Sequence, residues 1–227
     1  MPFFLALSAA AAPSAAAERR YSITDFDRVQ VDGPYEVTLA TGASSQASVT
    51  GDQAAIDRVS LDVQGRTLRI RPSASAWGAS RNAPSGPVRF TLSTRTLRGA
   101  SVTGAGSLSV DRAGGLRLDF TVSGSGSLVV GSVDADNLSL GVVGAGEMRI
   151  GGKAKIVRAT AAGSGELDAS GLVAEDLELS TGTSGRVTIA ARRKARVSAL
   201  GRGSVVVSGS PACTVTGPAA GQVRCGD

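Results

Sequence analysis

The 227-residue sequence contains no histidine. That removes the commonest general base, the commonest transition-metal ligand and every triad built on an imidazole. Cysteine occurs twice, at Cys213 and Cys225, and two thiolates alone cannot complete a tetrahedral zinc site. Aromatic residues are only 4% of the chain, which disfavours a thick sandwich core. No apolar run is a convincing membrane span, because the N-terminal one is short and rich in Ala and Ser.

Glycine, by contrast, numbers 30, and much of it is periodic. Paired glycines occur at Gly104 and Gly106, Gly124 and Gly126, Gly144 and Gly146, Gly163 and Gly165, and Gly201 and Gly203. A sixth copy has Thr183 in the first position and Gly185 in the second. Two residues after each pair stands an apolar residue: Leu108, Leu128, Met148, Leu167, Val187 and Val205. Self-similarity with a period near 20 residues marks a solenoid, whose coils bury their apolar faces only against one another.

The residue types separate a β-helix from a leucine-rich repeat. Within each period lies a stretch of alternating character, clearest from Leu116 to Val122, where Leu116, Leu118, Phe120 and Val122 interleave with polar residues. Equivalent stretches run over 138–142, 156–161, 177–179 and 196–199. Alternation with period two is the strand signature, and neither the Asn ladder nor the Leu spacing of a leucine-rich repeat is present. The paired glycines fit corners, where the backbone needs positive φ or lacks room for a Cβ. The expected fold is all-β, a single-chain parallel β-helix of about six coils.

A second corner carries charge: Asp134 and Asp136, then Lys153 and Lys155, then Glu175 and Asp176, then Arg192, Arg193 and Lys194. The sign alternates from coil to coil. At a strand spacing of about 4.8 Å like charges would repel, so the alternation disfavours a slip by one coil.

Around this core the chain divides into four parts. Residues 1–17 have the apolar run and the Ala15-to-Ala17 site of a secretory signal peptide, without its basic start. Residues 18–100 hold less regular strands, at 29–31, 35–39, 47–49, 61–63, 68–70 and 88–92, with a loop over 72–87 containing the lone Trp77. They are expected to cap and continue the solenoid. The regular coils occupy 101–209, and 210–227 form a C-terminal cap. In an exported chain Cys213 and Cys225 are expected to form a disulfide stapling the terminal coil, with Val215 facing inward between outward Thr214 and Thr216.

The run Phe26 to Leu39, then Gly65 to Ile70, then the repeated Gly-(Ser/Ala)-Gly pairs resemble the DUF2807 family. It is also called the putative autotransporter adhesin head domain, or GIN domain. The resemblance spans about Tyr21 to Gly209 and departs from the family pattern at Tyr35 and Glu36, where a small aliphatic residue is usual. It implies an exported β-solenoid of the bacterial envelope, periplasmic or at the cell surface, and carries over no site residues.

Other chemistries find little support. The glycine pairs lack the Lys-Ser/Thr and the helix of a phosphate loop. Calcium-binding repeats need Asp in the glycine turns, where this chain has Ser, Ala, Thr or Arg. Some polysaccharide-acting enzymes use β-helices, and Glu166, Asp168, Glu175, Asp176 and Glu178 cluster in one coil, but coils of 18–20 residues leave no loops to wall a cleft. The net charge of +5 rests partly on Arg186, Arg192, Arg193, Lys194, Arg196 and Arg202. No aromatic residue interleaves them, so nucleic acid is not the expected partner.

No catalytic residue, cofactor or metal is therefore expected. The function expected is that of a non-catalytic adhesin-like or ligand-binding solenoid, contacting envelope glycan or protein through outward hydroxyls such as Thr121, Ser139, Thr160, Ser180 and Ser198. The alternative is a structural module assembling end to end into homo-oligomers, since an open solenoid end offers unpaired strand groups.

Overall fold

The computed structural model describes residues 17–73 and 86–226. The proposed signal sequence and the Trp77 loop lie almost entirely outside them. The regular coils are long strands that bend at the corners: β9 (Ser107–Gly124), β10 (Ser127–Gly144), β11 (Glu147–Gly163), β12 (Glu166–Thr183) and β13 (Val187–Ala199). Each pairs with the next in parallel and nearly without slip. The chain is a β-solenoid of about six turns with roughly 20 residues in each.

Each turn has two flat sides. Face A begins after the glycine corner, as in 107–110, and face B runs from the charged corner to the next glycine corner, as in 117–124. Inward residues stack into columns. One on face A runs Val37, Leu108, Leu128, Met148, Leu167, Val187 and Val205, all but inaccessible to solvent. One on face B runs Ala100, Phe120, Leu140, Ala159, Leu179 and Val197, equally buried.

The alternation misplaces one end of this pattern. Leu116 is 77% exposed and Ile156 37%, although both begin stretches read as inward. The charged corner resets the phase of the strand, so inward positions start at Leu118 and Val157. Leu116 belongs to the charged corner, in register with Asp136 between the pairs Gly115–Ala135 and Arg117–Asn137.

The glycine pairs solve two different problems. Gly124 has φ +112°, a conformation that disfavours any side chain. Gly126 has no such φ, but a Cβ there would lie 2.5 Å from the carbonyl oxygen of Gly106 in the coil below. In the variant copy Thr183 is fully buried and its hydroxyl replaces the turn glycine's contacts, accepting from the Gly185 N–H at 2.9 Å and donating to the Gly165 carbonyl at 3.0 Å.

The N-terminal half stacks out of chain order. It comprises β1 (Ala17–Tyr21), β2 (Arg28–Asp32), β3 (Glu36–Thr41), β4 (Gln46–Gly51), a one-turn helix α1 (Gln53–Ile56), β5 (Val59–Gln64), β6 (Thr67–Pro72), β7 (Arg89–Thr94) and β8 (Gly99–Gly104). β2 and β3 form a turn directly beneath β8 and β9, while β6 and β7 form the turn on its other side, all in parallel. Antiparallel β5, β4 and β1 finish that end. Buried Asp27 ties the crossing together, its carboxylate 2.8 Å from Arg66 Nε and 3.7 Å from Arg98 Nε.

At the other end come β14 (Val205–Ser208), β15 (Ala212–Thr216) and β16 (Val223–Cys225). β15 stacks on β13 and β16 on β14, both in parallel. Cys213 continues the inward column of Leu118, Leu138, Val157, Leu177 and Ala195, and Cys225 stacks on inward Val207. Their disulfide, with Cα atoms 6.5 Å apart, joins face A to face B across the end of the core. Val215 is half-buried against the core, with Thr214 and Thr216 exposed.

Candidate functional site

The outward side of face B has four columns of side chains, headed in β9 by Arg117, Asp119, Thr121 and Ser123. The third reads Gln30, Ser101, Thr121, Gly141, Thr160, Ser180, Ser198 and Thr216. Six of these positions carry hydroxyls, repeated at the strand spacing of about 4.8 Å. Among the described residues only Thr216 uses its hydroxyl internally, donating to the Val197 carbonyl at 3.5 Å. Ser139, expected in this row, stands in the neighbouring column, because Gly141 faces Thr121 and Ser139 faces Asp119. Ser101 and Thr216, which the sequence reading did not include, take part instead.

That neighbouring column reads Arg28, Gly99, Asp119, Ser139, Arg158, Glu178, Arg196 and Thr214. At its N-terminal end Arg28, Arg98, Arg117, Asp119, Ser139 and Arg158 line a shallow groove of about 480 Å³. The sequence gives no local sign of it. Its four arginines are scattered over 130 residues and meet only because strands stack; Arg117 and Arg158 can be related by the coil length, whereas Arg28 and Arg98 sit in the out-of-order N-terminal half and carry no such signal.

The groups singled out by local clustering fare differently. The carboxylates of 166–178 separate: Glu166 and Asp168 lie on face A, while Asp176 and Glu178 lie on face B. Asp168 accepts from the Ser170 hydroxyl at 2.7 Å and its N–H at 3.1 Å, which holds its carboxyl below the usual range. Asp176 is 2.6 Å from Arg193, and Glu178 3.3 Å from Arg158. Among the described residues no group of three or more acidic or cysteine side chains is placed to hold a metal ion.

The basic cluster of 192–196 is likewise distributed, with Arg193 paired into the charged corner and Arg196 outward on face B. The alternating corner pairs as expected between β10 and β11, Asp134–Lys153 at 3.1 Å and Asp136–Lys155 at 2.7 Å, and between β12 and β13, Asp176–Arg193 at 2.6 Å; between β11 and β12 no such pair lies within 4.0 Å among the described residues. The hydrogen bond to Asp136 raises the Lys155 ammonium above its ordinary pKa.

The ends of the stack are guarded. β16 has three residues, carries Arg224 and follows a 3-10 turn at Ala220–Gln222. Short, charged edge strands resist strand addition. Among the described residues no helix is long and apolar enough to cross a membrane.

The profile of the DUF2807 family, described as "Putative auto-transporter adhesin, head GIN domain", matches residues 25–211. A "putative adhesin" from Bacteroides fragilis superimposes with a TM-score of 0.78 at 21% identity, covering 94% of this chain and 95% of that one. A "putative lipid binding protein" from Parabacteroides distasonis gives 0.73 at 20% identity over 94% and 97%. A "putative adhesin" from the same organism gives 0.70 at 21% over 94% and 96%. These likenesses show a shared fold. No protein of curated function matches the chain.

Proposed function

The chain belongs to the DUF2807 family, and on that premise we propose that it is a non-catalytic, exported envelope protein that binds a partner across face B in the manner of an adhesin. The observation that carries this reading is the hydroxyl column. Hydroxyls at Ser101, Thr121, Thr160, Ser180 and Ser198 have no internal hydrogen bond among the described residues, and they repeat on a rigid, flat surface. Such a row supplies donors and acceptors at fixed spacing to a ligand with many polar groups, whether glycan or polypeptide. A preorganised surface also limits the entropy lost on binding.

Export is supported by the Ala-rich N-terminus and by the Cys213–Cys225 disulfide, a bond that persists in oxidising compartments. A non-catalytic role is supported by the carboxylates of the acidic coil, which are divided between two faces and mostly ion-paired.

The test is a glycan array and a cell-adhesion assay on the full chain, beside Thr160→Val and Ser180→Ala. Binding that weakens in these variants is expected. A blank array together with no adhesion would remove the proposal.

A further inference from the structure

We propose that the arginine-lined groove of face B binds an acidic polysaccharide through its carboxylates. This rests on the reading of face B as the binding face and names the class of ligand. Four guanidinium groups, from Arg28, Arg98, Arg117 and Arg158, line the groove, and Asp119 is the one carboxylate that lines it with them. Arg98 is only weakly tied to Asp27, at 3.7 Å, and Arg158 lies 3.3 Å from Glu178 on the rim. Arg28 and Arg117 have no carboxylate within 4.0 Å among the described residues. At the charged corner the charges alternate and pair. Here they gather with one sign, and an external anion would relieve their repulsion.

The backbone makes room for this arrangement. Gly99 stands between Arg28 and Asp119 in the column, and a Cβ there would lie 3.2 Å from Arg28 Nη1. The bare glycine lets that guanidinium lie across the strand. A guanidinium presents a planar fork that matches carboxylate geometry, so each free arginine can take an acid group in two hydrogen bonds.

The other lining groups narrow the ligand further. Asn137 and Ser139 occupy the strand between Arg117 and Arg158, and the hydroxyl column runs alongside. Asp119 has no partner side chain among the described residues. It would repel a bare inorganic anion, but it can accept from a sugar hydroxyl, so the site fits an anion that also carries donors.

From β2 to β11 the groove crosses four strand spacings, about 19 Å, the reach of a polymer and not of a single small acid. No aromatic side chain stands in the four outward columns of face B for base stacking. The exposed apolar side chains on or beside this face, Leu116, Val143 and Ile156, are scattered singly over three coils and form no continuous patch, so a bilayer is a comparator in the test and not the ligand proposed.

The experiment measures binding of the full chain to polygalacturonate, with dextran, duplex DNA and phosphatidylglycerol vesicles as comparators. Binding to polygalacturonate alone, weakened by salt, is expected. Arg28→Gln with Arg117→Gln should lower affinity at least about ten-fold, since each charge-assisted hydrogen bond is worth roughly that factor. Arg186→Gln with Arg202→Gln, equal in net charge and at the opposite end, should leave it unchanged. Both double variants should melt with the parent, because the residues replaced have no ion-pair partners among the described residues.

The proposal is overturned by polygalacturonate binding no better than dextran, by equal losses in both double variants, or by tighter binding of DNA or vesicles. A neutral glycan found on the array, sensitive to Thr160→Val while polygalacturonate is ignored, would defeat the acidic groove and leave the adhesin-like reading standing.

Discussion

Gly126→Ala isolates the close contact between stacked corners. The backbone of Gly126 needs no left-handed φ, so the methyl adds no conformational strain and the whole effect is spatial. The new Cβ would stand 2.5 Å from the Gly106 carbonyl oxygen, 2.9 Å from Val102 Cγ1 and 3.1 Å from the Gly104 carbonyl oxygen. The valine methyl can turn away, but the carbonyls cannot. Gly106 O accepts from the Ser127 N–H at 2.9 Å and Gly104 O from the Ser125 N–H at 3.0 Å, and both would have to stretch. Overpacking costs about 1–3 kcal/mol, and weakening two buried hydrogen bonds adds about 1 kcal/mol. The expected loss is therefore about 2–4 kcal/mol.

At this chain length each kcal/mol moves the melting point by about 2–4 °C, so Gly126→Ala should melt roughly 5–15 °C below the parent. Gly114→Ala is the matched control. Its φ is ordinary and the nearest atom to its Cβ would be the Asp134 carbonyl oxygen at 3.8 Å, so it should be neutral or slightly stabilising through the unfolded chain. Thermal melts followed by circular dichroism give both values. Gly126→Ala melting with the parent, or both variants falling equally, would refute the argument from coil-to-coil contact.

Other outcomes follow from the same geometry. Reducing the disulfide should release hydrogen-exchange protection in β14, β15 and β16 first, while 107–163 stay protected, because coils couple mainly to their neighbours. Leu116→Lys should change stability by no more than about 0.5 kcal/mol and gain Asp136 as a neighbour, whereas Leu118→Ala should cost about 2–5 kcal/mol; equal losses would contradict the phase reset. Asp27→Ala should cost about 1–2 kcal/mol in a urea titration, less than for a fully buried pair, since Arg66 and Arg98 remain in contact with water. The Asp168 carboxyl is held low when folded, so its stabilising effect is present above its unfolded pKa and lost as pH falls through the folded one; Asp168→Asn should flatten the acid side of a stability–pH curve.

The sequence pattern disclosed the solenoid because a stacked coil repeats its constraints. The corner at Gly126 and the inward Leu128 recur in every turn, and so does the sign change at Asp136 and Lys155. It misled where a turn departs from uniform alternation. Leu116 and Leu118 are two residues apart, yet the corner between the faces sends one outward and the other into the core. Ser139 fell in the wrong outward row for a different reason: the row's own position in β10 is Gly141, which has no hydroxyl. The stacking order of β2, β6 and β8 was not legible at all, because pairing between distant parallel strands leaves no local trace in residues such as Val29, Leu68 and Ala100.

The groove was hidden for a deeper reason. Inward positions are dictated by the coils above and below, so they repeat; outward positions, apart from the hydroxyl row and the charged corner, are under no such constraint. A binding surface on such a fold therefore takes one side chain from each coil, about 20 residues apart, and has no motif. Arg28 and Arg98 come from the irregular N-terminal half, Arg117 and Arg158 from the regular coils. They share one surface only while β2 stays seated on β8 and each coil keeps its register. The corner pairs Asp134–Lys153 and Asp136–Lys155 bind β10 to β11, and a slip of one coil would set like charges together. Although each exposed pair contributes little to overall stability, both favour the register of β10 on β11, the step of the stack that sets Arg158 beside Ser139 and so fixes its distance from the other arginines that any acid-bearing polymer would meet.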